Sequence, residues 1–443
     1  MNTTKTNCTF PISDLENVKE KVLNWANRFN TFCFLDNHQY QIEPHTVECL
    51  LAAGVKREIK FAEGKALEEL QSFIEWPDGD RQTKDHSWLF GHLGYDLKNE
   101  IEDLSSNNFD GVRFPNLYFF EPEVLIRLNE KEINIQGENA AAIFEQILKE
   151  EHEPDLLHAK PVIQSRLTKQ EYIDSITRLR QHILRGDCYE INFCQEFFAE
   201  NVAIDPLSVY KKLSAVSPNP FSALYKINDL WLICASPERF LKKDGRRILS
   251  QPIKGTSQRI IHDGKKDEQS RSALFVSAKD RSENVMVVDL VRNDLSKVCR
   301  DGTVIVDELY GIYSFPQVHQ MISTVSGELN DDISFTDIIR ATFPMGSMTG
   351  APKKRVMELI EQYEKNKRGI FSGAVGYISP ERNFDFNVVI RSIMYNAGTK
   401  YLSFQAGSGI TYYSDPEKEW EECLMKAEAI KKVLSEKAPL EAE

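Results

Sequence analysis

The strand-like runs in the second half of the chain follow one another in blocks, and this order limits the fold more than any other feature of the sequence. Such runs stand at 230–234, 247–249, 373–378, 386–393 and 402–406. Helical patterns stand at 267–276, 283–293, 335–341, 352–364 and 416–435. A doubly wound parallel sheet would need strict alternation of strand and helix. The sequence therefore predicts an α+β fold with antiparallel sheets.

The helix that opens this half has both a start and a stop signal. Thr168 and Glu171 have the spacing of a capping box, and apolar residues follow on one helical face as far as Ile183. Gly186 stands where a helix commonly ends in a left-handed residue. The pattern predicts a helix between these signals.

A charged segment with two prolines precedes this helix. Residues 149–167 therefore predict a linker, and we place a boundary near residue 160. It separates an N-terminal region, 1–160, from a C-terminal domain, 161–443. The N-terminal region mixes strands and helices, which we predict at 32–35, 62–75, 124–128 and 139–148.

Charge and composition exclude several classes of protein. The 443 residues include 54 Lys and Arg against 67 Asp and Glu, so the formal net charge is −13. This charge repels phosphate backbones and argues against a nucleic-acid partner. No apolar run is long enough to cross a bilayer, and the first residues do not resemble a signal peptide. The eight cysteines form no CxxC pair, so we expect free thiols and a cytoplasmic protein without a membrane partner.

The predicted last helix carries two carboxylates one turn apart. Asp415 has the position of its N-cap, and Glu419, Glu422 and Lys426 fall on one face. Paired carboxylates can hold a hard cation such as Mg²⁺. A solvated stripe of weak ion pairs explains the spacing equally well.

A second acidic pair, Asp280 and Glu283, has the same spacing at the start of another predicted helix. A carboxylate there benefits from the positive end of the helix dipole. The alternative is an ordinary cap followed by a first-turn acid.

Lys254 stands between Pro252 and Gly255, which hold the backbone around it. Burial would lower the pKa of this lysine and make it a nucleophile or a base. The alternative is an exposed lysine beside a turn.

Gly407, Ser408 and Gly409 form a short glycine-rich segment. Its amides could bind a carboxylate, with Arg391 in the preceding strand as a clamp. A tight hairpin turn explains the two glycines equally well. The chain has no Gly-x-Cys-x-Gly elbow and no P-loop, so neither a glutaminase nucleophile nor a nucleotide cradle is predicted.

Taken together, these segments resemble the chorismate-utilising enzymes, the family that includes component I of anthranilate and aminodeoxychorismate synthases. The resemblance covers residues 165–435 strongly and the N-terminal region more weakly. Its motifs stand at 91–96, 186–189, 236–240, 252–256, 289–294, 315–319, 343–352, 406–410 and 419–426. The resemblance implies two antiparallel sheets packed as a sandwich with helices outside.

Within the family, the segment Pro-Ile-Lys-Gly-Thr around Lys254 looks like that of the branch that forms aminodeoxychorismate. The resemblance implies that Lys254 attacks C2 of chorismate and expels the C4 hydroxyl, and that ammonia then attacks C4 and expels the lysine. The chain would take its ammonia from a separate glutamine amidotransferase subunit or from solution. The alternatives are an anthranilate synthase component, a non-catalytic chorismate-binding protein and a metal-dependent hydrolase, for which His319 is the single candidate in the motif region.

The resemblance also implies roles for individual residues. Mg²⁺ would be bound by Glu283, Glu422 and Glu419, with Asp280 nearby. Glu238 would be the general acid for the leaving hydroxyl. The substrate would be held by Thr256, Arg391, Gly407, Ser408, Gly409 and Lys426.

Two positions depart from the family pattern. Glu190 stands where ammonia-using members usually have Gln and water-using members have Lys. Gln320 stands where relatives often carry a second His. The sequence leaves the roles of both residues open.

Overall fold

The computed structural model describes residues 6–40, 49–62, 64–75, 87–151 and 160–435, and its strands form two antiparallel sheets. The strands are β1 (Asn7–Pro11), β2 (Thr31–Asp36), β3 (Cys49–Ala53), β4 (Arg57–Phe61), β5 (Leu89–Leu93), β6 (Leu117–Glu121), β7 (Val124–Leu128), β8 (Glu132–Gln136), β9 (Gln164–Ser165), β10 (Glu190–Ala199), β11 (Phe221–Ile227), β12 (Leu230–Ser236), β13 (Arg239–Asp244), β14 (Arg247–Gln251), β15 (Ile253–Gln258), β16 (Ile305–Ser314), β17 (Val318–Glu328), β18 (Gly350–Ala351), β19 (Ala374–Ile378), β20 (Phe384–Asn387), β21 (Ser392–Asn396) and β22 (Tyr401–Ile410). The predicted α+β class is confirmed.

The larger sheet has twelve strands in the order β1-β8-β7-β3-β2-β11-β12-β21-β22-β10-β18, with β9 also paired to β10. The smaller sheet has ten, in the order β15-β17-β14-β13-β20-β19-β5-β6-β4, with β16 also paired to β17. Strands from both sides of residue 160 lie in each sheet, so the boundary placed there does not separate two sheets.

The helices are α1 (Leu15–Ala26), α2 (Ala66–Glu75), α3 (Lys98–Glu102), α4 (Ala140–Lys149), α5 (Lys169–Leu184), α6 (Pro206–Val216), α7 (Gly264–Val276), α8 (Ala278–Ser296), α9 (Phe335–Thr342), α10 (Lys353–Tyr363) and α11 (Pro416–Ser435). None of these described helices is both long and apolar enough to cross a membrane.

Two apolar cores follow from the alternation of side chains along the strands. On β2, Cys33 belongs to the core shared by the two sheets, and Phe32 and Phe34 belong to the core between the larger sheet and helices such as α1, α5 and α11. The sheets therefore pack as a sandwich, with helices covering the outer face of the larger one.

Several helix ends form where local sequence signals predict them. The capping box of Thr168 and Glu171 is present at the start of α5, and Gly186 follows the helix with a φ of +83°. Asp415 accepts hydrogen bonds from the first turn of α11, which spans the predicted residues 416–435. These predictions are confirmed.

Near the site, one strand prediction is wrong and one alternative interpretation is excluded. The run 386–393 is not one strand, because β20 ends at Asn387 in the smaller sheet and β21 begins at Ser392 in the larger one. The segment between them crosses from sheet to sheet, and its Arg391 has a φ of +51° that no strand allows. The glycine-rich segment 407–409 is not a hairpin turn, because it lies inside β22.

Candidate functional site

The site centres on an ion pair between a buried carboxylate and a largely buried lysine. Nζ of Lys254, on β15, donates to Oε1 of Glu190, at the start of β10, over 2.7 Å. The side chains are 10% and 3% exposed, respectively. Since β15 and β10 belong to different sheets, the pair lies between the sheets.

The electrostatics of Lys254 differ from the sequence expectation. Burial alone would lower the pKa of this lysine, but Glu190, Glu283 and Glu238 together raise it above its ordinary value. The expectation that burial leaves a neutral amine is therefore wrong for the free protein, because three carboxylates outweigh the lost hydration. In this state Lys254 carries its proton.

Gly409 makes room for this pair. A Cβ atom at position 409 would lie 2.7 Å from Oε1 of Glu190 and 2.9 Å from Nζ of Lys254. Gly407 has a different reason to be glycine, since a Cβ there would lie 1.9 Å from the backbone oxygen of Phe193. The two glycines thus let β22 approach the ion pair and β10, respectively.

Glu238 lies in the connection between β12 and β13 and is 4% exposed. Burial raises the pKa of Glu238 to about 7, although Lys254 and Arg391 lower it in part. Its backbone oxygen accepts from Val388, in the segment that crosses between the sheets, over 3.0 Å. A carboxyl that keeps its proton near neutral pH can act as a general acid, which is the role expected for Glu238.

A second group of charges links α8 to α11. Nζ of Lys279 lies 3.8 Å from Oε1 of Glu283 and 4.0 Å from Oε1 of Glu419. Burial raises the pKa of Glu283 to about 7, although Lys254 and Lys279 lower it in part. Glu419 is 2% exposed, and its other oxygen accepts a short hydrogen bond from Ser408 on β22. Ser408 therefore orients a carboxylate of the site.

Glu422 and Lys426 lie one turn further along α11. Nζ of Lys426 is 2.8 Å from Oε1 of Glu422 and donates to the backbone oxygen of Gly407 over 2.9 Å. Burial opposes the charge of Glu422, but Lys426, Lys279 and Lys254 hold its pKa below the ordinary value. Lys426 therefore balances the acidic group and contacts the glycine-rich strand.

The acidic residues fit a divalent cation in chemistry. Oε1 of Glu283 is buried without a hydrogen-bond partner among the described residues, and Lys279 stands between two carboxylates where positive charge is favoured. Oxygen donors of this kind suit Mg²⁺. Within the part of the chain that the structure describes, no three His, Cys, Asp or Glu side chains are arranged closely enough to hold a metal ion.

The remaining predicted residues lie at the margin. Asp280 packs over Gly255: a Cβ atom added to Gly255 would lie 3.0 Å from the Cβ of Asp280. Thr256 is exposed and pairs with Gln320 across β15 and β17. His319 contacts Ser314 and Asp267 at 2.8 and 3.2 Å, so it serves another cluster.

Sequence reasoning missed Lys279. Its only signal was the spacing of four residues to Glu283 on one helix, which is typical of many exposed ion pairs. Its approach to Glu419 depends on how α11 packs near α8, and no local pattern shows that.

The chain is similar to one known family and to several known proteins. The family described as chorismate binding enzyme matches residues 30–432. Over 272 residues the chain is 42% identical to a probable chloroplastic aminodeoxychorismate synthase of Oryza sativa subsp. japonica, a match that covers 61% of this chain and 30% of the rice protein. It is 31% identical over 402 residues to aminodeoxychorismate synthase component 1 of Bacillus subtilis, covering 85% and 84% of the two chains.

The fold has known counterparts among solved structures. Anthranilate synthase component I from Streptococcus pneumoniae superimposes with a TM-score of 0.75 at 24% identity, covering 89% of this chain and 94% of that one. This likeness concerns the fold, and it agrees with the two-sheet sandwich described above.

Proposed function

Because the chain belongs to the chorismate binding enzymes, we propose that it aminates chorismate at C4 to give 4-amino-4-deoxychorismate, on the route to 4-aminobenzoate and folate. The observation that carries this proposal is Lys254, a largely buried lysine held between the sheets. It interacts with Glu238, a carboxyl group whose pKa is raised by burial. The relatives named as aminodeoxychorismate synthases support the same activity.

The proposed reaction uses two displacements. The amine of Lys254 attacks C2, the ring double bonds shift, and the C4 hydroxyl leaves with a proton from Glu238. Ammonia then attacks C4, the double bonds shift back, and the C2–N bond breaks to release the lysine. Arg391, which is partly buried, and the amides of the β22 segment would hold the enolpyruvyl carboxylate. The edge of β22 is open there, because β21 pairs with β22 only as far as Phe404.

We propose that Mg²⁺ binding draws Glu283, Glu419 and Glu422 together, with Asp280 nearby, since no three of these side chains are close enough to hold the ion in the described structure. When bound, the ion would neutralise the ring carboxylate of chorismate. Two observations support this assignment: Oε1 of Glu283 is buried without a hydrogen-bond partner among the described residues, and Ser408 orients Glu419 by a hydrogen bond.

The nitrogen would come from a separate glutamine amidotransferase subunit or from free ammonia. The designation component 1 of the Bacillus subtilis relative fits a companion subunit. The eight cysteines are all free thiols, which supports a reducing, cytoplasmic setting.

The product identifies the reaction. The protein is incubated with chorismate, ammonium and Mg²⁺ at mildly alkaline pH, with parallel samples in EDTA, and products are separated by chromatography and mass spectrometry. We expect 4-amino-4-deoxychorismate, Mg²⁺ dependence, and loss of product in Lys254→Ala. Anthranilate with pyruvate would instead assign the chain to the anthranilate branch, and undiminished product from Lys254→Ala would overturn the covalent mechanism.

A further inference from the structure

Glu190 is built into the site in an unusual way. One of its oxygens, Oε1, accepts from Nζ of Lys254 at 2.7 Å. The other, Oε2, is buried and has no hydrogen-bond partner among the described residues. The residue is 2% exposed, so water has little access to either oxygen. A buried carboxylate oxygen without a hydrogen bond lowers the stability of the fold, so its presence calls for a functional explanation.

The proposed reaction needs a proton acceptor that the site must supply. Lys254 holds its proton in the free protein, and an ammonium group has no lone pair with which to attack a carbon atom. The proton must therefore leave Nζ before or during the attack on C2. Buried at 10% exposure between the sheets, the amine has poor access to solvent for this transfer.

We propose that Glu190 accepts the proton of Lys254, stores it while the lysine is bonded to the substrate, and returns it when the lysine leaves. This inference rests on the proposed function. Glu190 is the acceptor because its Oε1 already receives the hydrogen bond of the ammonium group, so the transfer needs no rearrangement.

The other two carboxylates near Lys254 are engaged elsewhere. Glu238 must carry a proton to the leaving hydroxyl, so it cannot also begin the cycle as an acceptor. Glu283 lies close enough to Lys279 for an ion pair and belongs to the proposed cation site. Neither has a hydrogen bond to Nζ of Lys254 among those described, whereas Glu190 does.

The step balances in atoms and charge. Transfer from Lys254 to Glu190 gives a neutral amine and a neutral carboxylic acid. The amine forms the C2–N bond, the C4–O bond breaks, and Glu238 gives the proton that makes water. Ammonia then forms the C4–N bond while the C2–N bond breaks. The electron pair of the C2–N bond returns to the lysine nitrogen. The carboxylic acid of Glu190 gives its proton back to Lys254, and the anionic Glu238 takes one from the new C4 ammonium group.

Two substitutions separate proton transfer from positioning. Glu190→Gln keeps the length and a carbonyl oxygen that can accept from Lys254, but it removes the proton acceptor. Glu190→Asp keeps the carboxylate on a shorter side chain. If Glu190 transfers the proton, the Gln variant should lose about 100-fold in the rate of covalent addition, as is typical of a lost general base. The Asp variant should then be the faster of the two.

The rate is measured on the covalent intermediate itself. Each protein is mixed with chorismate and Mg²⁺, quenched at short times, and the peptide carrying Lys254 is analysed by mass spectrometry for chorismate less one water. Steady-state kcat and KM are measured in parallel with ammonium. We expect a fall in kcat with little change in KM for Glu190→Gln. The control is Glu200→Gln, at an exposed position one residue past the far end of β10, which should match the unsubstituted protein.

The outcomes distinguish the two proposals. If the unsubstituted protein forms neither the intermediate nor the aminated product, the proposed function fails. If the unsubstituted protein forms both, the two variants decide. Covalent addition in Glu190→Gln that is as fast as in Glu190→Asp, or faster, would show that Glu190 only positions Lys254 and does not transfer its proton. If the Gln variant does not fold, Glu190→Ala decides, because alanine has no group that can accept the proton and addition at the unsubstituted rate in a folded Ala variant contradicts the role.

Discussion

An alanine methyl group at position 409 would lie 2.7 Å from Oε1 of Glu190 and 2.9 Å from Nζ of Lys254. Both atoms lie at the far ends of flexible side chains, so the side chains would move and the backbone would stay in place. We therefore expect Gly409→Ala to keep its melting temperature within a few degrees. Activity should fall about 100-fold, as is typical when reacting groups are displaced by about 1 Å.

The comparison for this variant comes from two other glycines. Gly264→Ala has open space around the new methyl group and should change neither stability nor activity. Gly407→Ala meets the Phe193 backbone oxygen, so it should lower the melting temperature clearly. Thermal denaturation and steady-state kinetics on all three would show this order, and full activity of Gly409→Ala would mean that the Lys254–Glu190 geometry does not limit the reaction.

Glu238 couples stability to pH. Its pKa is about 7 in the fold against 4.5 for the free side chain. Between these values the folded state binds a proton that the unfolded state releases, so the contribution of Glu238 to stability falls as the pH rises through this window. Above it the cost is on the order of 3 kcal/mol, at about 1.4 kcal/mol per pKa unit.

Glutamine at position 238 does not titrate. The melting temperature of Glu238→Gln, relative to the unsubstituted protein, should therefore rise between about pH 5 and about pH 8. Calorimetry across this range measures the difference, with exposed Glu421→Gln as the control. A difference that stays flat or falls with pH would show that Glu238 is ionised in the fold throughout.

At the scale of elements, the crossing segment between β20 and β21 places Arg391 at the site. Its φ of +51° suits glycine and costs other residues roughly 1–2 kcal/mol. Arg391→Gly and Arg391→Ala should both raise the KM for chorismate, by about 10-fold or more for a lost charged hydrogen bond. The Gly variant should be the more stable of the two, because alanine must adopt the same left-handed backbone.

A matched pair of substitutions at Lys400 tests this reasoning. Lys400 has a φ of +56° in the turn before β22 and lies outside the site. Lys400→Gly should also be more stable than Lys400→Ala, while the KM for chorismate stays unchanged in both. Equal stability of the two Arg391 variants, or an unchanged KM, would contradict the role given to the crossing segment.

The elements that sequence patterns predicted are those whose information is local. Capping at Thr168 and Asp415 and amphipathic periodicity fix α5 and α11, and these helices form where expected. The break at Arg391 was missed because residues 386–393 are apolar enough for one buried strand, and a change of sheet leaves no mark on apolar periodicity. For Gly407 and Gly409 the sequence left a hairpin turn open, because local patterns do not show that both positions need glycine for the close approach of other elements.

The same division holds inside the site. Lys254 could be named as a candidate from the Pro252 and Gly255 that flank it, and Glu238 from the resemblance to the chorismate-utilising enzymes. The protonated state of Lys254 could not, because it depends on carboxylates from β10, α8 and the connection after β12 that the chain brings together only on folding. Sequence therefore identified the groups but not their charges.

At the scale of the whole molecule, the two regions on either side of residue 160 complete each other's sheets. In the larger sheet, β2 pairs with β11 along its whole length, from Asp36 opposite Ser222 to Thr31 opposite Ile227. In the smaller sheet, β5 pairs with β19 along its whole length. Removing residues 1–160 would uncover the edges of both β11 and β19 together with apolar side chains that pack on the missing strands.

We therefore expect residues 161–443 alone to aggregate or to lack cooperative unfolding, because the fragment exposes two strand edges and part of both cores. Co-expression with residues 1–160 should restore a monodisperse complex with the unfolding transition of the full chain, since the missing strands can pair again. Size-exclusion chromatography and thermal circular dichroism measure both effects. A soluble 161–443 fragment with a sharp transition of its own would show that the shared sheets are not needed for folding, and it would restore residue 160 as a true domain boundary.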